Sequence, residues 1–378
     1  MRRQLRIRTL AALTAALAAV ALIEPLPAAA TTPNYNQIIQ DEAYWISTKQ
    51  LPDSCGNAAG ALAWYTWSNG TAQIRPYVAN IGATGMLAAG SYYYPMVKAW
   101  IGWYFRHLNR PDYNGVSGTV YDYDDNTTTC VEATATNQQG QNPSYDSTDA
   151  YAGTFLSLLR QYAQANPSDD GYLQTNAANI KLVADAIIAT LQSDGLTYAR
   201  PDYHAQLLMD NVEAEQGLSD YSWLLSNALG DPADASYYGG KATTIATAVN
   251  SVLWNGSHTA GMYGWAADQL DPSWSNWYPD AVAQTWPLRT ELGTSGQRSA
   301  LWAAFNTTWP NWAGDATNPD GSPWCSVGYT AALMGNKTEA DAFLNGSQTA
   351  WIDPGRPWPY TVMDAANRAL TAEIAATL

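Results

Sequence analysis

The stretch Tyr145–Ala163, YDSTDAYAGTFLSLLRQYA, places two aspartates directly before a long amphipathic run. Apolar residues recur there at intervals of three and four, which is the pattern of a helix with one buried face. Asp146 and Asp149 stand at its start, where carboxylates often cap free backbone N–H groups. The same two groups could also act as an acid and a base, so this segment bears on both fold and chemistry.

The same periodicity recurs along the chain, where turn residues bracket twelve candidate helices. They begin near Tyr35, Pro76, Tyr93, Asp146, Asn176, Asp210, Ala235, Trp277, Gly296, Trp324, Lys337 and Tyr360. Only short segments, Gly118–Tyr123 and Leu196–Ala199, have the composition of strands. An all-α class is therefore preferred to any sheet-based one, and the absence of a sequence repeat of about 30 to 45 residues argues against a regular solenoid.

The links between these helices alternate between short and long, which suggests six helical hairpins arranged as a closed toroid. The even-numbered helices would then form the inner ring. Long connections rich in polar and aromatic residues lead into those helices, and they would crowd one end of the toroid. Three of the inner starts combine acidic and aromatic residues, namely YDSTDAY (145–151), MDNVEAEQGLSDY (209–221) and WYPDAVAQTWP (277–287).

With these starts and this helix count, the chain after residue 30 resembles the six-hairpin glycosidases, the (α/α)6-barrel superfamily. The resemblance implies an all-α (α/α)6 toroid, a few short strands in its long loops, and an active site where the inner helices begin. It also favours an inverting outcome. The motifs do not single out one family within the superfamily.

Five carboxylates at the inner-helix starts are the catalytic candidates: Glu213, Asp146, Asp280, Asp149 and Asp210. Each could be a helix cap, and Asp280 follows a proline suited to a first helical position. Helices predicted as outer, such as those near Gly296 and Lys337, carry less acidic and aromatic clustering, which capping alone does not explain. We therefore expect a joint role in capping and catalysis.

Glycoside hydrolysis needs one carboxyl to protonate the leaving oxygen and another to activate water or attack the sugar. Two carboxyls on one helix cannot easily flank a ring, so the pair should come from different inner helices. A capping aspartate should have a lowered pKa, which suits a base, whereas a third-position carboxylate beside a like charge suits an acid. We predict Glu213 as the acid, with Asp146 or Asp280 as the base.

Nearby aromatic residues are expected to contact the substrate: Tyr145, Tyr151, Trp277, Tyr278 and Trp286. Gly153 and Gly217 share a helical face with the acids. They could leave room beside the carboxylates or mark close helix packing, and the sequence does not decide between these roles.

The segment YDYDDN (121–126) has three interpretations. Asp122, Asp124 and Asn126 match the first ligand positions of a calcium loop, but Thr127 and Ala133 replace its required Gly and Glu. The segment also resembles the proton-donor motif of class II terpene cyclases, whose greasy substrates fit poorly with this acidic chain. We prefer a solvated loop at the barrel mouth in which Asp122 and Asp124 touch the sugar.

No metal or cofactor is predicted, because His107, His204 and His258 lack metal-binding spacing. The formal net charge of -15 excludes nucleic acid and anionic membranes as good partners. The 17 Trp and 24 Tyr against 4 Phe favour carbohydrate, since these rings offer a flat face and a polar tip. Three cysteines allow at most one intramolecular disulfide.

Residues 1–30 combine basic residues with an apolar run that ends in Ala28-Ala29-Ala30, which is typical of a secretory signal peptide. No other apolar run of about 18 residues follows, so a secreted, soluble product is expected. Residues 31–378 are predicted to form a single catalytic domain, and we expect a monomer. The predicted function is a secreted glycoside hydrolase acting on an extracellular poly- or oligosaccharide; the alternatives are a polysaccharide lyase and a non-catalytic carbohydrate-binding protein.

Overall fold

A computed structural model of the chain describes residues 32–136, 140, 142–257, 261–290, 292–316 and 318–378. The predicted signal peptide and His258 lie outside the described residues. Within them, twelve helical segments match the twelve predicted. In chain order they are α1 Tyr35–Ser47, α2 Pro76–Ala88, α3 Tyr94–Arg106, α4 Asp149–Ala165, α5 Ala177–Thr190, α6 Leu208–Leu224, α7 Pro232–Ala248, α8 Thr285–Arg289, α9 Ser295–Thr308, α10 Cys325–Leu333, α11 Lys337–Ser347 and α12 Val362–Ala375.

The even-numbered helices close into an inner ring. Each contacts the next around the ring, from α2 to α4, α6, α8, α10 and α12, and α12 packs back against α2. The odd-numbered helices lie outside, with α1 packed against α2 and α12, and α7 against α6. The fold is thus an all-α toroid of six helical hairpins, as predicted.

Burial separates the two rings. Inner helix α2 buries ten of its thirteen residues, whereas outer helix α1 buries only four of thirteen. A helix that is apolar on most sides must be covered on most sides, while a single apolar stripe needs cover on one side only. The sequence pattern therefore assigns each helix to its ring. No helix of the described residues is both long and apolar enough to cross a membrane.

Glycines set the closest approach between inner helices. A Cβ atom at Gly153 in α4 would lie 2.3 Å from the carbonyl oxygen of Glu213 in α6, and one at Gly217 would lie 2.4 Å from the Cα of Gly153. Of the two roles left open by the sequence, close helix packing is therefore the one observed. The contact also fixes the backbone from which Glu213 projects.

Short strands occupy the long loops. Strands β1 Tyr65–Thr66, β2 Thr71–Ile74, β3 Tyr123–Asn126 and β4 Glu132–Thr134 form an antiparallel sheet in that order, and β5 Trp254–Asn255 pairs with β6 Met262–Tyr263. The strand predicted at Gly118–Tyr123 therefore begins only at Tyr123. The segment predicted at Leu196–Ala199 forms no strand and has only an isolated pairing of Thr197 with Leu191.

The Cys55–Cys130 disulfide ties the loop after α1 to the turn between β3 and β4, and Cys325 is a buried free thiol. One disulfide and one remaining thiol agree with the limit set by the cysteine count. This crosslink anchors the loops that lead into α2 and α4, where the candidate site lies.

We expect Gly153→Ala to destabilise the protein by roughly 1–3 kcal/mol, because the added methyl group overpacks the contact between α4 and the Glu213 carbonyl. Urea unfolding of the variant and the wild type measures the difference. Gly171→Ala is the matched control, since Gly171 is helical and a Cβ atom there meets nothing within 4 Å. Equal stability losses in both variants would show that the contact between α4 and α6 is not close.

Candidate functional site

Side chains of α2 and α8 contact Glu213 of α6, and α4 contributes Tyr151 beside them. The hydroxyl of Tyr77 in α2 donates to its Oε1 at 2.7 Å, and the indole N–H of Trp286 in α8 donates to the same oxygen at 2.9 Å. The ring of Tyr151 in α4 stacks on that of Tyr77 with centroids 6.1 Å apart. The early turns of α2, α4, α6 and α8 thus converge on one carboxylate.

The second oxygen of Glu213, Oε2, is buried and has no hydrogen-bond partner among the described residues. Burial raises the pKa of Glu213 to about 7, although the hydrogen bonds from Trp286 and Tyr77 and the charge of Arg289 act in the opposite direction. Near neutral pH a substantial fraction of this group is protonated. The direction agrees with the expectation for an acid.

Three aspartates complete an acidic cluster with Glu213: Asp146, Asp149 and Asp210. Asp210 is partly exposed, and its pKa is raised well above its usual range by burial and then by the charges of Asp149, Glu213 and Asp146. Asp146 is exposed at the rim. Carboxylates from the entrances of α4 and α6 are therefore within electrostatic range of one another.

Asp149 is fully buried and engaged by the protein. Its Oδ1 accepts from the Ala150 N–H at 2.8 Å, and its Oδ2 accepts from the Thr197 hydroxyl at 2.6 Å. Burial raises its pKa to about 7. Asp149 thus joins α4 to the loop before α6, with both oxygens held away from the solvent.

The capping interpretation of the acids is wrong in detail. Thr148, rather than Asp146, occupies the cap position of α4, and Leu207 occupies that of α6. No side-chain capping bond forms at either helix start, so Asp146 and Asp149, and likewise Asp210 and Glu213, make no capping box. The capping bond expected at Asp146 is therefore absent from the start of α4.

Asp280 and Trp277 lie in the turn before α8, and both are engaged locally. Asp280 Oδ2 accepts from the Ser273 N–H at 2.6 Å and from the Asn276 amide at 3.2 Å. The Trp277 ring packs against Phe305 of outer helix α9. Asp280 therefore braces its own loop, and Trp277 is directed toward the outer layer.

Tyr278, by contrast, reaches the mouth. Its side chain is 51% exposed, and its ring lies 5.0 Å from that of Trp324 at the start of α10. Its pKa is raised, first by partial burial and then by the charges of Asp210 and Asp146. Trp286 contacts Glu213 directly. Three of the five predicted aromatic residues, Tyr278, Trp286 and Tyr151, are therefore near the acidic cluster.

The preferred solvated loop at YDYDDN is wrong, because this segment enters β3 and Asp122 is buried. Asp122 accepts from the Tyr151 hydroxyl at 2.9 Å and lies 3.8 Å from Arg75 Nε, while Arg75 also pairs with Asp124 at 3.1 Å. Burial raises the pKa of Asp122 to about 7, against the charge of Arg75. Asp122 thus fixes the position of the Tyr151 hydroxyl through this hydrogen bond.

Tyr145 is likewise buried, and its hydroxyl donates to Asp112 at 2.8 Å, so it holds a loop together. Within the part of the chain that the structure describes, no group of three or more His, Cys, Asp or Glu side chains is arranged to hold a metal ion. His107 bonds Glu132 and stacks on Trp103, which places it in the outer layer.

Tyr77 is the residue at the site that the sequence analysis missed. It follows Pro76 at the start of α2. The rule that drew attention to Tyr151 and Trp286, an aromatic residue early in an inner helix, also applies to Tyr77. Tyr77 was nevertheless missed because no carboxylate lies near it in the sequence. Its partner Glu213 is 136 residues away.

No protein-family model matches this chain, and no curated protein matches it. Among solved structures, it is similar to one titled wild-type glycosidase, at 14% identity and a TM-score of 0.57, over 91% of this chain and 97% of that one. The same figures hold for a glycosidase in complex with glucose. D-mannose isomerase is similar at 11% identity and a TM-score of 0.51, over 94% of this chain and 100% of that one. At these identities the likeness concerns the fold.

We expect the free energy of unfolding to be lower at pH 8 than at pH 5. Glu213, Asp149 and Asp122 have folded-state pKa values of about 7, above their ordinary values, so their contribution to stability is present at low pH and lost as pH rises through 7. Glu213→Gln should reduce the difference by about 2 kcal/mol. Urea unfolding at both pH values measures it.

Asp268→Asn, which changes an exposed carboxylate, is the control and should keep the wild-type difference. A wild type that is equally stable at pH 5 and pH 8 would contradict the raised pKa values.

Proposed function

We propose that this chain is a secreted glycoside hydrolase that cleaves an extracellular poly- or oligosaccharide with two carboxylates at the entrances of the inner helices. The observation that carries the proposal is the environment of Glu213. It is a buried carboxylate with a raised pKa, held by two donors on one oxygen and without a partner on the other.

Glu213 is the proposed general acid. Tyr77 and Trp286 fix the orientation of the carboxyl group through Oε1, which leaves Oε2 to carry the proton. Since no described residue accepts from Oε2, a glycosidic oxygen in the site can take that proton. A pKa near 7 keeps the acid form available in mildly acidic and neutral surroundings.

Asp146 is the proposed base. It precedes α4 whereas Glu213 lies in α6, so the pair satisfies the requirement for two different helix entrances. Its exposure lets it reach water. Asp210 lies within electrostatic range of both carboxylates, and its own raised pKa favours a neutral group that can hydrogen-bond a sugar hydroxyl.

Aromatic rings at the mouth support a saccharide substrate. Trp358 lies 5.3 Å from Trp64, 5.4 Å from Tyr65 and 5.2 Å from Trp67, and both Trp67 and Trp358 are partly exposed. Arg75, which pairs with Asp124 of β3, packs over Trp64 at 5.7 Å and connects this platform to β3. Flat apolar faces next to polar groups suit sugar rings.

The structural neighbours support the same class of substrate, because the titles name a glycosidase, a glycosidase with glucose and an isomerase of mannose. The Cys55–Cys130 disulfide and the predicted signal peptide support export, since disulfides persist in oxidising compartments. An inverting outcome and a monomeric state complete the proposal. No metal or cofactor takes part in it.

A polysaccharide lyase with a tyrosine base is less well supported. Tyr77 lies at the centre of the site, but burial and then the charge of Glu213 raise its pKa well above the usual range, which disfavours the phenolate that a base requires. A non-catalytic carbohydrate-binding protein remains the second alternative, and turnover separates it from a hydrolase.

We expect Glu213→Gln and Asp146→Asn each to lower the rate of oligosaccharide release by about 10²- to 10⁴-fold, because each removes a proton-transfer group. The assay is mass spectrometry of products from plant, fungal and bacterial glycans. Asp280→Asn, in which the amide keeps the loop contacts possible, is the control and should retain activity. NMR of the first-formed anomer tests inversion.

Glycan binding by the wild type without release would contradict hydrolysis and favour the binding protein. Products that absorb in the ultraviolet, as unsaturated sugars do, would favour the lyase.

Tyr77→Phe should move the alkaline limb of kcat/KM to higher pH. Activity falls on that limb as Glu213 loses its proton, and the Tyr77 hydrogen bond lowers the pKa of Glu213, so its removal keeps the acid protonated to higher pH. A pH–rate profile measures the shift. An unchanged limb in this variant would show that another group sets it.

A further inference from the structure

A cavity lies within the toroid and extends from Glu213 and Trp286 toward the C-terminal ends of the inner helices. Its volume is about 530 Å³, within the range of small-molecule sites, and all six inner helices contribute to its wall. Glu213 and Trp286 form part of the wall, and other wall residues come from later turns, such as Gln164 in α4 and Leu370 in α12. Gln164 and Leu333, the last residue of α10, are exposed and mark its opening at the C-terminal ends of the helices.

Arg289 is the cation in this wall that lacks a carboxylate contact. Its Nε donates to the Thr330 hydroxyl at 3.0 Å and its Nη2 to the Thr285 hydroxyl at 3.4 Å, and its guanidinium lies 3.9 Å from the centre of the Trp286 ring. Among the described residues, no carboxylate oxygen lies within 4 Å of it. Hydroxyl groups therefore provide its only hydrogen bonds there, and its charge is left uncompensated at close range.

The two carboxylates in the wall are already engaged. Asp220 pairs with Arg160 and also accepts from the Gln216 amide at 2.8 Å. Glu213 accepts from Tyr77 and Trp286 through Oε1. Arg160, another residue of the wall, has a buried Nε without a hydrogen-bond partner among the described residues. Among the described residues of the wall, Arg289 is thus a cation without a carboxylate contact, and Arg160 Nε is a polar atom without a hydrogen-bond partner.

A half-buried guanidinium without a counter-charge is costly, and a ligand carboxylate supplies that charge through paired N–H donors. Amides and hydroxyls around it, from Gln161, Gln216 and Ser157, suit a ligand with several hydroxyl groups. We propose that this cavity binds a small polyhydroxylated monocarboxylate, a sugar acid, with Arg289 as its carboxylate-binding residue. Ligand binding here goes beyond the proposed hydrolase activity, and the cavity shares Glu213 and Trp286 with the candidate site.

Isothermal titration calorimetry with D-glucuronate and D-glucose tests the proposal, because the two share a ring and differ in carrying a carboxylate or a hydroxymethyl group. We expect the wild type to bind glucuronate at least tenfold more tightly than glucose. Arg289→Gln should remove this preference. Neither probe has a glycosidic bond, so the result is independent of hydrolysis.

Two further variants locate the site. Leu333→Trp narrows the opening and should weaken glucuronate binding at least tenfold, whereas Asp268→Asn, which changes an exposed carboxylate outside this wall, should leave it unchanged. Thermal unfolding confirms that each variant is folded. The proposal is overturned if glucuronate binds no more tightly than glucose, or if its binding survives both Arg289→Gln and Leu333→Trp.

Discussion

The close contact between α4 and α6 is the constraint on which the site depends. Gly153 and Gly217 let the two backbones approach until a side chain at either position would overlap main-chain atoms. Glu213 projects from this contact, so its carboxylate is carried inward far enough to meet Tyr77 from α2 and Trp286 from α8. A wider spacing would draw the carboxylate back from both donors. The same two glycines therefore determine both the packing of α4 against α6 and the position of the Glu213 carboxylate.

The toroid explains how several carboxylates can share one mouth. All six inner helices begin at the same end, so their partial positive charges and free N–H groups face the mouth together. That field favours acidic side chains there even without capping bonds. Burial opposes it, and for Glu213, Asp149 and Asp122 burial is the larger effect, which leaves pKa values of about 7. These carboxyl groups therefore keep their protons at a higher pH than ordinary carboxyl groups do, and the free energy of unfolding falls as the pH rises.

The sequence predicts the fold better than it predicts the side-chain contacts. Helix starts follow from periodicity and turn residues, which are local, and all twelve recur in the structure. Capping at Asp146 failed because the loop is held by a distant contact, in which the Thr148 N–H donates to the Ala199 carbonyl at 2.6 Å. Asp280 and Trp277 adjoin Tyr278 in the sequence, yet Asp280 bonds to its own loop and Trp277 packs against α9. Only the hydrogen bond from its hydroxyl to Glu213 distinguishes Tyr77, and no local pattern reveals that bond.

Glu213, Trp286 and Arg289 form a layer between the two ends of the toroid. Trp286 donates to Glu213 and also stacks against Arg289. The two charged groups are therefore separated by one ring and sense each other, since the charge of Arg289 lowers the pKa of Glu213. Any ligand carboxylate that neutralises Arg289 would weaken this effect and favour the protonated form of Glu213. Trp286 therefore contacts both the proposed acid and the cation of the cavity.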